Sequence, residues 1–539
     1  MRPPNPRIST LTAILVLVGT ALGGFVLETS AQELPWLKSG TVRLDFAPTF
    51  WTWDSRYGEG PTGEDLEEEV GLDLTTSALG SQALPDLLDL EASLAEALGD
   101  PAYRVNLGAS QAYIDQSRLI LPFRLDIGIT DWLTIGAMAP LVRPRTEMLF
   151  VLDGDSTTAT DGISPFASDP GGVISFLDAF RNVLLNAKAS FPGDPAVSDA
   201  EAYFDALTAA YGHSTFFPAQ GSDPGARLQE RLDELRDALS ALGVTGMPET
   251  VPLASGYLSE EDFQEFLEGP SMRSQPLEDW TTLWSLGDVE VTADIRLLRR
   301  GFEPDSSGAL PFLRFQLGVG GLVRLGTGSQ ADPGRFYDQD QGDGQMDLEG
   351  NVFGLVQLGT RFGAWGQLRY GIQNEGDVFR RISDPSGVLP SYKRLAPLKW
   401  TPGDYFELDL NPRFFLTPDM SFGVRYHLWA KGEDSYALGE IVVPEGQEPR
   451  EFPDPSLLNL ETEERLQEVG FSATFSSVDA HGRGEASMPL YIRATYFHPV
   501  GGSGGQTPKG GRLQVGLTLF KTLWGSSAEE LPGVVTGGR

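Results

Sequence analysis

The sequence predicts an all-β protein: a transmembrane antiparallel up-and-down β-barrel of about 12 strands with an α-helical extracellular loop insertion. Three observations predict it. Apolar residues alternate with polar or charged ones over runs of about ten residues, the length of strand that crosses a bilayer at a tilt. Those runs are joined by short and long connections in alternation. Apart from the N-terminus, no stretch is long and apolar enough for a membrane helix, although 40% of residues are hydrophobic and 10% aromatic. That hydrophobic content also excludes a disordered chain. The absence of cysteine excludes disulfides and thiolate chemistry. A net charge of −35 excludes nucleic acid held by a bulk field, and four histidines leave little for a His-rich metal site.

Export is read from the first residues. Arg2 and Arg7 form a basic region, residues 11–27 an apolar one, and Thr29-Ser30-Ala31 a small-residue cleavage site. Residues 1–31 are therefore expected to be a signal peptide. A cysteine-free exported chain fits a bacterial envelope.

The first barrel strands are expected within 32–146, interrupted by an acidic, helix-containing loop at 54–116. In 119–130 the odd positions from Leu119 to Ile129 are apolar, while the even ones carry Arg124, Asp126 and Gly128. The same alternation recurs through 286–524. Strands are read near 41–53, 117–130, 132–146, 286–299, 309–326, 348–361, 364–375, 403–416, 420–431, 466–477, 487–498 and 511–524. Trp51, Trp53, Trp132, Trp284, Trp365, Trp429 and Trp524 fall near strand ends, as interfacial girdles do. Connections at 130–132, 362–364 and 416–420 read as tight. Those at 54–116, 147–285, 327–347, 376–402, 432–465 and 499–510 read as long. Short turns facing the periplasm place both termini there, in a bacterial outer membrane, with 525–539 as a disordered periplasmic tail.

The long insertion at 147–285 carries helical periodicity: Val173, Phe176, Leu177, Phe180 and Leu184, then Leu228, Leu232, Leu235, Leu239 and Leu242. Ser222-Asp223-Pro224 is a helix start, and shorter helices are expected at 86–98, 200–211 and 259–267. These stripes pack on one another, or form a cap over the pore. The outer loops are acidic. Within 338–349, Asp338, Asp340, Asp343 and Glu349 resemble part of a Ca²⁺ loop, so surface Ca²⁺ is an expectation there; no other cofactor is expected.

The alternation assigns a lumen lined by Arg124, Asp126, Glu290, Asp294, Arg296, Arg314, Arg324, Arg369, Glu407, Asp409, Arg413, Arg425, His427 and Arg493. Acids and bases nearly balance, so neighbouring strands are expected to pair them, for example Arg124 with Asp294 or Glu407 with Arg425. Such a lining either braces the wall or filters solutes.

The phrases LPFRLDIGITDWLTIGAMAP (121–140), LGDVEVTADIRLL (286–298) and FGVRYHLWAKGEDSY (422–436) resemble bacterial outer-membrane channels grouped with the phenol meta-pathway transporters and, more distantly, the long-chain fatty-acid transporters. The resemblance implies passive uptake of small, hydrophobic or aromatic solutes. The fatty-acid transporters have an N-terminal plug, whereas about ten residues precede the first strand here. The expected partners are outer-membrane lipid and lipopolysaccharide, the barrel-assembly machinery and a small solute. An enzyme is not expected, because His427 and Ser421 lie six residues apart on one strand. The alternative is a surface scaffold or adhesion barrel whose helical cap is the working part.

Overall fold

The computed structural model describes residues 36–59, 65–213, 215–302, 310–441 and 450–524. The expected signal peptide (1–31) and the expected tail (525–539) lie outside them. Twelve antiparallel strands close into a barrel. The first, β1, is broken at Ala47-Pro48 into Thr41–Phe46 and Thr49–Glu59, because proline has no N–H to give to the ladder. The others are β2 (Ala109–Gly128), β3 (Leu133–Asp153), β4 (Val289–Arg300), β5 (Leu313–Leu325) and β6 (Asp347–Leu358). The second half comprises β7 (Phe362–Ile372), β8 (Tyr405–Phe415), β9 (Met420–Lys431), β10 (Glu464–Ser476), β11 (Leu490–Ser503) and β12 (Thr507–Thr522). Each pairs with the next, and both pieces of β1 pair with β12, which closes the ring. Closure leaves no edge whose backbone groups would go unpaired in lipid.

The outer face identifies the solvent. Phe123, Leu125, Ile129, Ile135, Leu317, Val352, Val356, Leu368, Phe422 and Phe471 are all large, apolar and exposed. A belt of this extent is far more apolar surface than a soluble monomer presents. On β2 it runs from Leu119 to Ile129, about 34 Å of strand and roughly 26 Å of height after tilting, the thickness of a barrel's apolar band. The chain is a membrane-spanning β-barrel.

Both described chain ends, Trp36 and Trp524, lie at the same end as the tight turns after β2, β6 and β8, here called the turn end. The opposite, loop end is heavily built. There β2 and β3 overhang the belt, and their hydrophobicity changes face. Ala112, Ile114, Met148, Phe150 and Leu152 point inward and are buried, while Arg143 and Arg145 point out. Above the lipid the dry side is no longer outside the barrel but within a protein core.

That core is the cap. Helices α1 (Leu88–Leu98), α2 (Pro170–Ser190), α3 (Pro195–His213), α4 (Asp223–Ala241) and α5 (Glu260–Glu268) pack with the overhang into one cluster. Their starts follow from sequence: Ser222 Oγ accepts from the Gly225 N–H at 3.2 Å, and Ser259 forms a capping box with Asp262. The leucine stripe of α4 is buried from Leu228 to Leu239, so the stripes do pack on one another. A separate three-stranded sheet (Gly376–Arg381, Leu395–Thr401, Ser435–Leu438) occupies what the sequence reads as plain loops.

Two connections differ from expectation. The glycine-rich stretch at 499–510 is not a long loop: β11 and β12 are separated by three residues, turning at Gly504 (φ +92°). Gly501, Gly502 and Gly510 belong to the wall, and Gly502 is needed there because the Tyr57 ring lies 2.4 Å from where a Cβ would stand. The turn after β6 falls at Gly359–Arg361 rather than 362–364, since Gly359 supplies the positive φ and Phe362 already faces lipid. The tryptophans also divide. Trp132, Trp284 and Trp524 are exposed as girdle residues, but Trp53 and Trp365 are buried inside.

Candidate functional site

Strand register places the charges. Arg43 on β1 stands opposite Asp126 on β2, and their side chains meet at 2.8 Å with the carboxylate fully buried. Arg124 reaches the same carboxylate at 2.8 Å and Asp294 on β4 at 3.9 Å. Asp126 can lie against the wall because Gly136 faces it; a Cβ there would stand 2.1 Å from Oδ1. One register step brings Glu290, Arg324 and Asp347 into a row across β4, β5 and β6, with contacts of 3.2 and 3.3 Å. On β7 and β8, Arg369 pairs with Glu407 at 3.4 Å and lies 3.8 Å from Glu349, which accepts from the Tyr405 hydroxyl at 2.7 Å. Arg425 on β9 meets Asp409 at 3.4 Å, and Arg512 bonds Glu468. His427 stands between Asp409 (3.3 Å), Glu407 (3.8 Å) and Glu468 (3.9 Å).

These pairs surround a mid-barrel chamber of about 400 Å³. Nine of the sequence-assigned residues line it: Arg124, Glu290, Asp294, Arg369, Glu407, Asp409, Arg425, His427 and Arg493. Asp126 lies behind it, under the two arginines. Arg324 faces a second cavity of about 210 Å³ toward the loop end, which shares Glu407 with the chamber and is walled by Trp400, Tyr405, Trp429 and Lys431. Arg314 and Arg413 are buried nearer the turn end, where Arg314 donates to the Gly359 carbonyl at 2.6 Å. Arg296 is near that end too, its backbone N–H bonded to the Trp132 carbonyl. The expected Arg124–Asp294 contact is present. Glu407 pairs with Arg369 instead of Arg425, because the β7–β8 register sets Arg369 directly opposite it.

Sequence reasoning missed Arg43 and Arg512 as lining residues, although the parity of 513–520 carried back to 512 assigns Arg512 inward. It also missed what closes the turn end. Trp36 is buried among Phe302, Phe353, Leu355 and Trp365, its ring 5.0 Å from that of Phe353. Leu37 packs with Val478, Tyr491 and Phe520, and its N–H donates to Thr134 Oγ1 at 2.6 Å. Residues 36–37 thus form a stopper. No spacing signal marks it, since two adjacent apolar residues look like any others.

The loop end is covered as well. Tyr337, from the β5–β6 connection, accepts from Gln116 on the β2 overhang through its carbonyl at 3.0 Å. Arg394, between β7 and β8, pairs with Asp86 of the first insertion at 3.0 Å, and the Leu389 N–H donates to the Ala83 carbonyl at 2.9 Å. Strands β2 and β7 stand nearly half the ring apart, so these contacts carry the cap across the mouth.

Among the described residues, the group whose ligand atoms converge within 4.8 Å is Glu407, Asp409 and His427. Arg369 and Arg425 already supply the positive charge that a cation would bring there. The Ca²⁺-loop residues are not that group. Asp338, Asp340 and Asp343 accept from the N–H groups of Asp332, Ala331 and Gln345, so the loop folds its carboxylates onto its own backbone. Glu349 is in the barrel wall, because β6 begins at Asp347. Burial, with the nearby carboxylates of Asp347 and Asp288, pushes Asp343 up to about 7. Ser421 bonds Thr474 at 2.5 Å and does not meet His427.

The fold and its interior define a transmembrane barrel with a charged, capped lumen. No family model matches the chain, and no curated protein matches it. Solved structures similar to it include an outer membrane channel from Pseudomonas putida F1 (10% identity, 92% of this chain and 100% of that one, TM-score 0.41). Others are a toluene transporter from Ralstonia pickettii (8%, 93% and 96%, TM-score 0.29) and a Pseudomonas aeruginosa FadL homologue (9%, 90% and 90%, TM-score 0.23). At these scores the barrel assignment rests on the hydrogen-bonded ring itself.

Proposed function

We propose that this protein is a channel of the bacterial outer membrane for passive uptake of small solutes, with both chain ends in the periplasm. The observation that carries the reading is the pair of adjoining luminal cavities, about 400 and 210 Å³, joined at Glu407 and closed by separate devices at each end. A barrel that served only as a scaffold has no need of an internal chamber of this volume lined with charge. Trp365, Tyr491 and Phe497 in the chamber wall accommodate solutes with hydrophobic or aromatic bodies. Outer-membrane lipid and lipopolysaccharide contact the apolar belt in this reading, and the barrel-assembly machinery inserts it. Planar-bilayer recording tests it, with the full chain compared with a variant lacking 156–276 of the cap. Conductance that persists or grows on deletion supports a capped pore. Its absence in both forms leaves a surface scaffold whose cap is the working part.

A further inference from the structure

The chamber charges are balanced in number but not in position. Four neighbouring strands around the ring, β11, β12, β1 and β2, each contribute one arginine: Arg493, Arg512, Arg43 and Arg124. Asp45 is the only carboxylate they add to the lining; behind it Asp126 is bonded by Arg43 and Arg124, and Glu468 of β10 by Arg512. Around the rest of the chamber, β4, β6 and β8 contribute Glu290, Asp294, Glu349, Glu407 and Asp409, with Asp294 standing 3.9 Å from Arg124 where the two groups adjoin. Arg369 and Arg425 stand on that side, each bonded to a carboxylate of the same wall. The centres of the two groups lie about half the ring apart. Phe497 of β11 stacks on Arg512 of its own wall at 4.3 Å from its ring centre and also lies 5.2 Å from Arg425 of β9.

We propose that the chamber selects small zwitterions, whose carboxylate faces the wall of Arg43, Arg124, Arg493 and Arg512 while their ammonium group faces Glu290, Glu407 and Asp409. This rests on the channel reading above and names its solute class. In a narrow, low-dielectric passage a field directed across the axis treats solute classes differently. A monoanion or monocation is attracted by one wall and repelled by the other. A neutral molecule displaces water from both walls and replaces little of its hydrogen bonding. A zwitterion gains at both, and a volume of about 400 Å³ suits a small molecule with an aromatic or aliphatic body.

The test is uptake of four labelled probes of similar size into liposomes holding the full mature chain: alanine, its neutral isostere lactamide, the anion lactate and the cation alaninamide. Trp36→Ala is included as a form with a weakened stopper. Alanine is expected to enter at least about fivefold faster than the other three, relative to protein-free liposomes. Glu407→Gln with Asp409→Asn should cut that preference to about onefold and shift the reversal potential toward anions. Arg493→Gln with Arg512→Gln should abolish it equally and shift the potential toward cations. The wild-type comparison stands even if a variant does not fold. Equal entry of all four probes through a conducting protein overturns the proposal and leaves the channel. Neither conductance nor uptake, in wild type and Trp36→Ala alike, overturns the channel reading itself.

Discussion

Trp36→Ala tests whether the stopper closes the pore. Trp36 is 5% exposed and contacts four hydrophobic side chains of the barrel interior. Truncating a buried tryptophan to alanine costs about 3–5 kcal/mol. Among the described residues the docked segment is also held by Leu37 and its bond to Thr134, Ser39 bonded to Asp131 (3.1 Å) and Ile129 (3.3 Å), the Gly40 N–H on the Gly128 carbonyl and the Leu523 N–H on the Gly40 carbonyl. A loss of about 4 kcal/mol moves the docked-to-released ratio close to a thousandfold. Thr134→Val removes only one hydrogen bond, about 1 kcal/mol or roughly fivefold. Single-channel recording should therefore rank open probability as Trp36→Ala, then Thr134→Val, then wild type. Heat-modifiable gel migration should be unchanged, because the ring of strand pairing is untouched. Equal open probability in all three proteins would refute the stopper.

Three other perturbations separate parts of the account. Gly136→Val should prevent folding of the barrel, since its Cβ would meet Asp126 Oδ1 at 2.1 Å, whereas Gly350→Val, with open space around it, should fold normally; gel migration distinguishes them. Asp343 carries a pKa raised to about 7, so the folded loop prefers it protonated. The stability this gives is fully present below the unfolded pKa of about 4 and is lost as pH rises through about 7. The protection factor for hydrogen exchange across 326–346, with the base-catalysed intrinsic rate divided out, should fall between pH 6 and pH 8, and Asp343→Asn should remove that fall. Asp86→Asn weakens the bridge to Arg394, a partly exposed pair worth about 1 kcal/mol. Exchange at 382–394 should then rise roughly fivefold, with the rest of the cap unchanged.

The barrel was legible in the sequence because one physical rule governs its strands: lipid outside, water and charge inside. That rule gave the twelve strands and placed Arg124, Glu290, Asp294, Arg369, Glu407, Asp409, Arg425, His427 and Arg493 on the chamber wall. It fails where the surroundings of a strand change. The overhang of β2 and β3 lies beyond the lipid, so its alternation inverts at Ser117-Arg118 and reads as loop. Gly501, Gly502 and Gly510 belong to strands, and Gly502 is there because the Tyr57 ring needs the room, a contact 445 positions away along the chain that no local pattern records. Pairing partners also escaped, since choosing Arg369 over Arg425 for Glu407 needs the register of β7 against β8. Helix starts were legible to the residue at Ser222 and Ser259, because capping is local.

The central claim is that side chains along each strand alternate between lipid and lumen. A chain without cysteine allows it to be measured directly, by placing single spin labels along β6 in liposomes. Labels introduced by Leu348→Cys, Val352→Cys and Val356→Cys should collide readily with lipid-dissolved oxygen, while Asn351→Cys, Phe353→Cys and Gln357→Cys should not. A period of two in oxygen accessibility is the result the account requires. Uniform accessibility along the segment, or a period near 3.6, would contradict it.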